Sequence, residues 1–306
     1  MGSAMSFGSM VSISVLTALA AVVIPVPEAG ADPGEKPVQF LFIHHSCGGQ
    51  LLAAPGPNDG GHADTGDRCI YVSHPNGGGL RADLEAAGLA VNEASYGSIV
   101  GEDTDICHWH AKFRDGMDRI VRTRRQDELL PEGLTNQVVA FKSCFPNNDF
   151  TGEGTEPGDP DSCELTVANA KAAYRALLPS LAARPEVLFV AFTAPPMAEP
   201  KPVGLKQKIK ALFSGRPRQA EWARAFNAWL VDAQNGWLAD HGPGNIVVFD
   251  HYDILTGHGE TDWSAYPSRD GRDSHPNGEG NREAARAFVP FIEQALTRFA
   301  DKAGQS

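Results

Sequence analysis

The chain has 306 residues, with 38 acidic against 26 basic side chains and a formal net charge of −12. The length allows one large or two small domains, and because no long low-complexity linker divides the sequence, one domain is favoured. The acidic balance, with only the short basic run Arg122–Arg125, argues against a nucleic-acid-binding surface. The hydrophobic fraction of 42% is ample for a full core.

The first 31 residues have the pattern of an export signal. Val11–Ile24 is an uncharged run of small and apolar residues, too short to span a bilayer comfortably, and Ala29–Ala31 offers small residues for cleavage before Asp32. The first ten residues lack Lys and Arg, which leaves open a misassigned start or a retained anchor. We predict a signal peptide over residues 1–31, one domain over 32–306, a secreted or periplasmic location, and no stable membrane insertion after cleavage.

Short apolar runs alternate with longer amphipathic ones along the rest of the chain. The predicted strands are Val38–Ile43, Leu89–Ala94, Gln137–Lys142, Val187–Thr193 and Ile246–Asp250. The predicted helices are Gly79–Ala87, Phe113–Thr123, Leu165–Ala183, Arg218–His241 and Gly280–Lys302. This alternation favours an α/β fold with a parallel sheet and helices on both faces. Ligands of such sheets collect beyond the carboxyl ends of the strands.

A serine and a histidine stand at informative places in this pattern. Ser46 follows the first strand directly, and Asp273-Ser274-His275 precedes the last helix. A hydroxyl becomes a good nucleophile when an imidazole takes its proton, and the imidazole works best when a carboxylate fixes its tautomer. The sequence therefore predicts a serine nucleophile with a histidine base.

Two further segments complete a pattern of four blocks. Ser95-Tyr96-Gly97-Ser98 follows the second predicted strand, and Phe145–Asp149 follows the third. In this order the four blocks resemble those of the SGNH, or GDSL-like, hydrolase superfamily, over about residues 40–299. The resemblance implies a three-layer α/β/α, flavodoxin-like fold with a central parallel sheet of about five strands.

The resemblance carries the family's residues onto Ser46, Gly97, Asn148 and His275, with departures in three blocks. His44 and His45 stand where the family has Gly-Asp, so only Ser46 carries over in the first block. Asn147 is a possible substitute for Asn148. The usual acid position, three residues before the histidine, holds Arg272, so we favour Asp273 and leave Asp270 open.

The resemblance implies hydrolysis of acyl esters without a metal or organic cofactor. His275, oriented by Asp273, would activate Ser46, while the backbone N–H groups of Ser46 and Gly97 and the side chain of Asn148 would form the oxyanion hole. The implied partner is a small-molecule or glycan ester. Because no long apolar segment after the signal marks a lipid-facing lid, short acyl groups on polar substrates are favoured.

Two other functions fit the same residues. One is a non-catalytic carbohydrate-binding or polysaccharide-modifying accessory protein, since a fold does not fix chemistry and the first block has lost its Gly-Asp. The other is a thiol enzyme that uses Cys47 or Cys144 with His275. For His44 and His45, strand alternation predicts that one points into the core and the other away.

Five cysteines leave at least one unpaired in an exported protein. Bridges between Cys144 and Cys163 or between Cys69 and Cys107 would tie down long loops, although spacing does not decide connectivity. The run Cys107–His110 also offers three potential zinc ligands, but its spacing is not that of a standard structural zinc motif, and we predict no metal site.

Overall fold

A computed structural model describes residues 1, 37–61, 68–201, 218–239, 241 and 244–303. Contacts divide the chain into residues 1–33 and 34–306, and all described helices and strands lie in the second unit. The predicted export signal falls, apart from Met1, outside the described residues. Among the described helices, none is long and apolar enough to cross a membrane.

Twelve strands and seven α-helices make up the described part of the chain. The strands are β1 (Val38–Ile43), β2 (Ala54–Pro55), β3 (Asp59–Gly60), β4 (Tyr71–His74), β5 (Leu89–Ala94), β6 (Thr123–Arg125), β7 (Glu128–Leu129), β8 (Val138–Lys142), β9 (Leu188–Phe192), β10 (Ile246–Phe249), β11 (Pro267–Ser268) and β12 (Asp273–Pro276). The helices are α1 (Ser46–Leu52), α2 (Leu80–Ala86), α3 (Ile106–Ile120), α4 (Val167–Ala182), α5 (Gln219–Val231), α6 (His251–Leu255) and α7 (Gly278–Ala303).

Seven of the strands form the central sheet, in the order β10-β9-β8-β1-β5-β6-β7. All neighbours in it are parallel except β6 and β7, which pair antiparallel. The predicted α/β class is therefore confirmed. The five predicted strands are all present, each within one residue of its predicted ends, and β6 and β7 extend the sheet at one edge.

Helices cover both faces of this sheet because its strands are apolar on both sides. Along β1, Phe40 and Phe42 face one core with side chains of α1, α2 and α7. Leu41 and Ile43 face the other core with side chains of α3, α4 and α5. The two cores make the arrangement a three-layer α/β/α sandwich.

The chain path places a crevice at the carboxyl end of β1. The chain leaves β1 for β5 on one side and later returns to add β8 on the other, so the strand order reverses at β1. Such a reversal opens a crevice beyond the strand ends. Ser46 begins the helix that follows β1, and the β11–β12 hairpin approaches the same edge, since β12 contacts α1.

Aromatic rings fill the core beneath α7. The Phe288 ring is fully buried, with its centroid 4.9 Å from those of Phe192 and Phe249 and 6.0 Å from that of Phe40.

Because a cavity would remain, Phe288→Ala is expected to lower the free energy of unfolding by about 3–5 kcal/mol. Urea unfolding measures this loss. The half-buried neighbour Phe291 is the control, and an equal loss in Phe291→Ala would contradict the expectation.

Candidate active site

Ser46, His275 and Asp273 lie in one hydrogen-bonded line. Ser46 Oγ is 2.8 Å from His275 Nε2, although the two residues are 229 positions apart in sequence. On the far side of the ring, His275 Nδ1 is 2.6 Å from Asp273 Oδ1. The fold thus brings the serine after β1 and the β12 pair together at the carboxyl end of β1.

The geometry fixes the proton positions on His275. A carboxylate only accepts, so Nδ1 donates to Asp273 and carries the hydrogen. In the neutral ring, Nε2 then presents its lone pair to the Ser46 hydroxyl, which donates to it. This tautomer allows His275 to take the hydroxyl proton.

Asp273, rather than Asp270, is the carboxylate that contacts His275. Asp270 is exposed in a 3-10 turn after β11, where its backbone carbonyl accepts from Lys201 Nζ. Asp273 also accepts the backbone N–H of His275 at 3.1 Å. Partial burial alone would raise the pKa of Asp273, but the hydrogen bonds from the His275 side chain and backbone outweigh it and lower that pKa.

Each predicted oxyanion-hole donor other than Ser46 already has an acceptor. The N–H of Gly97 donates to Glu102 Oε2 at 2.6 Å, and Gly97 adopts a φ of 86°, which favours glycine. The Asn148 side-chain amide donates to the carbonyls of Ala194 and Pro195 at 2.8 and 2.9 Å. Ser46 lies in the first turn of α1, where backbone N–H groups have no intrahelical acceptor.

Asn147 and Asn148 both hold neighbouring segments together. Asn147 accepts the backbone N–H of Ile106 and donates to Asp105 at the start of α3. Asn148 Oδ1 accepts from Asn227 of α5 at 2.8 Å. The role of Asn148 toward a substrate stays a prediction. In this conformation its amide nitrogen could donate to a substrate only by giving up its bond to one of the two carbonyls, or by sharing one hydrogen between a carbonyl and the substrate.

His44 and His45 are both buried, so the expectation that one of them points away from the core is wrong. The strand ends at Ile43, and strand alternation no longer applies to the two residues after it. His44 Nδ1 donates to the His45 carbonyl at 2.6 Å, and its Nε2 lies 2.8 Å from Glu93 Oε1. The ring lies against Gly48, where an added Cβ would be 2.4 Å from His44 Cβ.

Sequence reasoning missed the charged chain behind His44. The buried Glu93 carboxylate also accepts from Arg81, so an Arg81–Glu93–His44 chain reaches the carbonyl of His45. That carbonyl accepts the N–H groups of Gly48 and Gly49 at the start of α1. A glutamate within a strand of the central sheet was the available signal, since buried charges are paired.

Removing Glu93 should destabilise the protein more than removing Arg81. Glu93→Ala leaves the buried His44 ring without its acceptor and is expected to cost about 3–5 kcal/mol of the free energy of unfolding. Arg81 is 30% exposed, so Arg81→Ala should cost no more than about 1 kcal/mol. Urea unfolding of both variants tests this. Equal losses in the free energy of unfolding would contradict the expectation that Glu93 contributes more than Arg81.

His45 links the nucleophile turn to the second sequence block. Its ring stacks on Tyr96 with centroids 4.0 Å apart, and the Tyr96 hydroxyl lies 2.7 Å from His45 Nδ1. Tyr96 directly precedes Gly97, so this contact sets the distance between the two blocks. Phe145 packs edge-on against the His275 ring, with centroids 5.0 Å apart.

The disulfide joins Cys107 to Cys163, so both pairings considered from the sequence are wrong. The bridge ties the first turn of α3 to the loop before α4, two segments that only the folded chain brings together. Among the described residues, the side chains of Cys107, His108 and Cys163 form a cluster of potential metal ligands. Their ligand atoms lie within 4.8 Å of one another. With the two sulfurs bonded to each other, their thiolates are not available as ligands.

Comparison with known proteins found a structural likeness that is weak. No family model and no curated protein matches the chain. Among solved structures, it is similar to a family two carbohydrate esterase from Clostridium thermocellum, solved in complex with cellohexaose. The identity is 14%, the match covers 88% of this chain and 67% of that chain, and the TM-score is 0.40. A likeness this weak does not assign an activity.

Proposed function

We propose that this protein is a serine esterase that hydrolyses acetyl or other short acyl esters of carbohydrates or other polar alcohols. The observation that carries the proposal is the hydrogen-bonded line from Ser46 Oγ through the His275 ring to Asp273. The sequence order of the four blocks, which resembles that of SGNH hydrolases, supports it independently.

In the proposed reaction, Ser46 Oγ attacks the ester carbonyl while His275 Nε2 takes its proton. The imidazolium then donates that proton to the leaving alcohol, and the acyl group remains on Ser46. Water, deprotonated by the same nitrogen, attacks the acyl-enzyme, and the acid leaves as the serine recovers its proton. Asp273 keeps the ring in the required tautomer and stabilises its positive charge.

The tetrahedral intermediate needs donors for its oxygen. The backbone N–H of Ser46 lies at the positive end of α1 and is the first of these. The N–H of Gly97 becomes the second when its bond to the exposed Glu102 side chain opens. A substrate carbonyl would therefore have to displace Glu102, and we expect Glu102 to act as a competitor for this donor.

A fluorophosphonate probe and a series of p-nitrophenyl esters test the proposal. We expect the protein from Asp32 onward to be labelled at Ser46 and to hydrolyse the acetate faster than the butyrate and the laurate. A preference for laurate would overturn the assignment to short acyl groups. A protein that is neither labelled nor active on any of the three esters would overturn the esterase assignment.

We also propose export from the cytosol. The Cys107–Cys163 disulfide supports this, because such bonds persist mainly in oxidising compartments. Fusion of residues 1–31 to a reporter enzyme that is active only after export tests the signal, and retention of the fusion in the cytosol would refute it.

A non-catalytic glycan-binding protein is the second candidate. The occupied donors at Gly97 and Asn148 favour it, since a hydrolase holds its oxyanion donors ready for the substrate. Glycan binding by a chain that resists the fluorophosphonate would support this function, whereas labelling at Ser46 excludes it.

A further inference from the structure

Two thiols lie against each other beneath the nucleophile. Cys47 and Cys144, together with Cys69, are outside the disulfide. The sulfurs of Cys47 and Cys144 are 3.4 Å apart, and Cys144 Sγ is 4.0 Å from Ser46 Oγ. Neither thiol has a part in the proposed ester hydrolysis.

The surroundings of this pair favour a negative charge on Cys144. Lys142 is fully buried, donates to the Ser143 carbonyl at 3.2 Å, and forms no ion pair with a carboxylate in the described part of the chain. His45 is 4% exposed, and its Nε2 has no well-formed hydrogen bond among the described residues.

The two thiols therefore differ in acidity. The hydrogen bond from Cys47 lowers the pKa of Cys144; burial opposes this, and His45 and Lys142 lower the pKa further. Burial raises the pKa of Cys47. The pair thus sets a thiol of lowered pKa beside a thiol of raised pKa, which is the arrangement of an attacking and a resolving cysteine.

We propose that Cys47 and Cys144 form a redox-active dithiol site that reacts with small peroxides. The Cys144 thiolate attacks one oxygen of hydrogen peroxide, which breaks the O–O bond, gives the sulfenic acid and releases hydroxide. The Cys47 sulfur then attacks the Cys144 sulfur, loses its proton to the departing hydroxyl, and water leaves. The sulfurs lose two electrons, the peroxide gains them, and a Cys47–Cys144 disulfide results.

Burial selects the size of the oxidant. Cys47 is 0% and Cys144 6% exposed, so we expect a small peroxide to reach the pair and bulky thiol reagents to be excluded. Cys69 is more exposed, but burial still raises its pKa, so it is mainly protonated at neutral pH. Since the thiolate is the reactive form, we expect Cys144 to react with peroxide faster than Cys69.

The test is disulfide mapping of reduced protein after one equivalent of hydrogen peroxide. Remaining thiols are alkylated under denaturing conditions, and the protein is digested with trypsin and a Glu-specific protease, because the tryptic peptide 143–171 contains both Cys144 and Cys163. We expect a Cys47–Cys144 crosslink that dithiothreitol reverses and that forms equally in Cys69→Ser. In Cys47→Ser, Cys144 should instead stop at a sulfenic acid that dimedone traps.

Two results would overturn the proposal. One is that Cys47 and Cys144 are both alkylated after peroxide treatment of the wild type and of Cys69→Ser, with circular dichroism showing both proteins folded. The other is a crosslink of Cys144 to Cys69. The readout is a covalent bond, so the result does not depend on whether the protein hydrolyses esters.

Discussion

Ser46→Ala is expected to lower turnover of p-nitrophenyl acetate by about 10⁶-fold, as loss of the nucleophile does in serine hydrolases. The side chain supplies the only atom that forms a covalent bond with the proposed substrate, and its hydroxyl is held 2.8 Å from His275 Nε2. Steady-state kinetics measures the loss, with circular dichroism to confirm that the variant folds.

The double variant Ser46→Ala/His275→Ala sharpens this expectation. If the two side chains act as one unit, the double variant should be about as slow as either single variant, since their effects do not add. A Ser46→Ala protein that keeps more than a hundredth of the wild-type turnover would contradict the assignment of the nucleophile. In that case, inactivation by iodoacetamide would direct attention to a thiol nucleophile.

Asp273→Asn is expected to lower turnover by about 10⁴-fold with little change in structure. An amide of the same shape can donate to His275 Nδ1 instead of accepting from it, which places the ring hydrogen on Nε2. A ring in that tautomer has no lone pair for the Ser46 hydroxyl.

Asp270→Asn is the matched control, because it removes a carboxylate three residues away that does not contact His275. It should retain nearly all of the wild-type turnover. If Asp270→Asn were the slower of the two variants, the acid of the site would be Asp270 and the observed contact of Asp273 would be structural.

A further check is the stability of the two variants in acid. The lowered pKa of Asp273 contributes stability above the ordinary carboxyl pKa, and this is lost as pH falls through the lowered value.

The main elements of the fold could be predicted because each strand is a short apolar run. The strand β6 was missed because Thr123-Arg124-Arg125 is polar, and the predicted helix Phe113–Thr123 overlaps its first residue. The first turns of α3 were missed, although Ile106, Trp109 and Phe113 stand at helical spacing and are buried. The helix instead begins at Ile106, after the capping residue Asp105.

The site was only partly accessible from the sequence. Ser46 could be placed because it comes soon after the first predicted strand, and His275 because it comes shortly before the last predicted helix. Asp273 was favoured over Asp270 because it is closer to His275 in sequence. The partners of Gly97 and Asn148 could not be predicted, since Glu102 and the Ala194 carbonyl reach them through loop conformations. Disulfide connectivity has the same limit, because it depends on which loops meet in space.

Gly48 and His44 share one small volume behind the nucleophile, and this has an evolutionary consequence. A side chain at position 48 would overlap His44 Cβ, an atom that every residue except glycine has. Position 48 therefore needs glycine whatever side chain stands at position 44. We expect homologous chains to keep the glycine even where the histidine is replaced, so that column 48 of an alignment is more constrained than column 44.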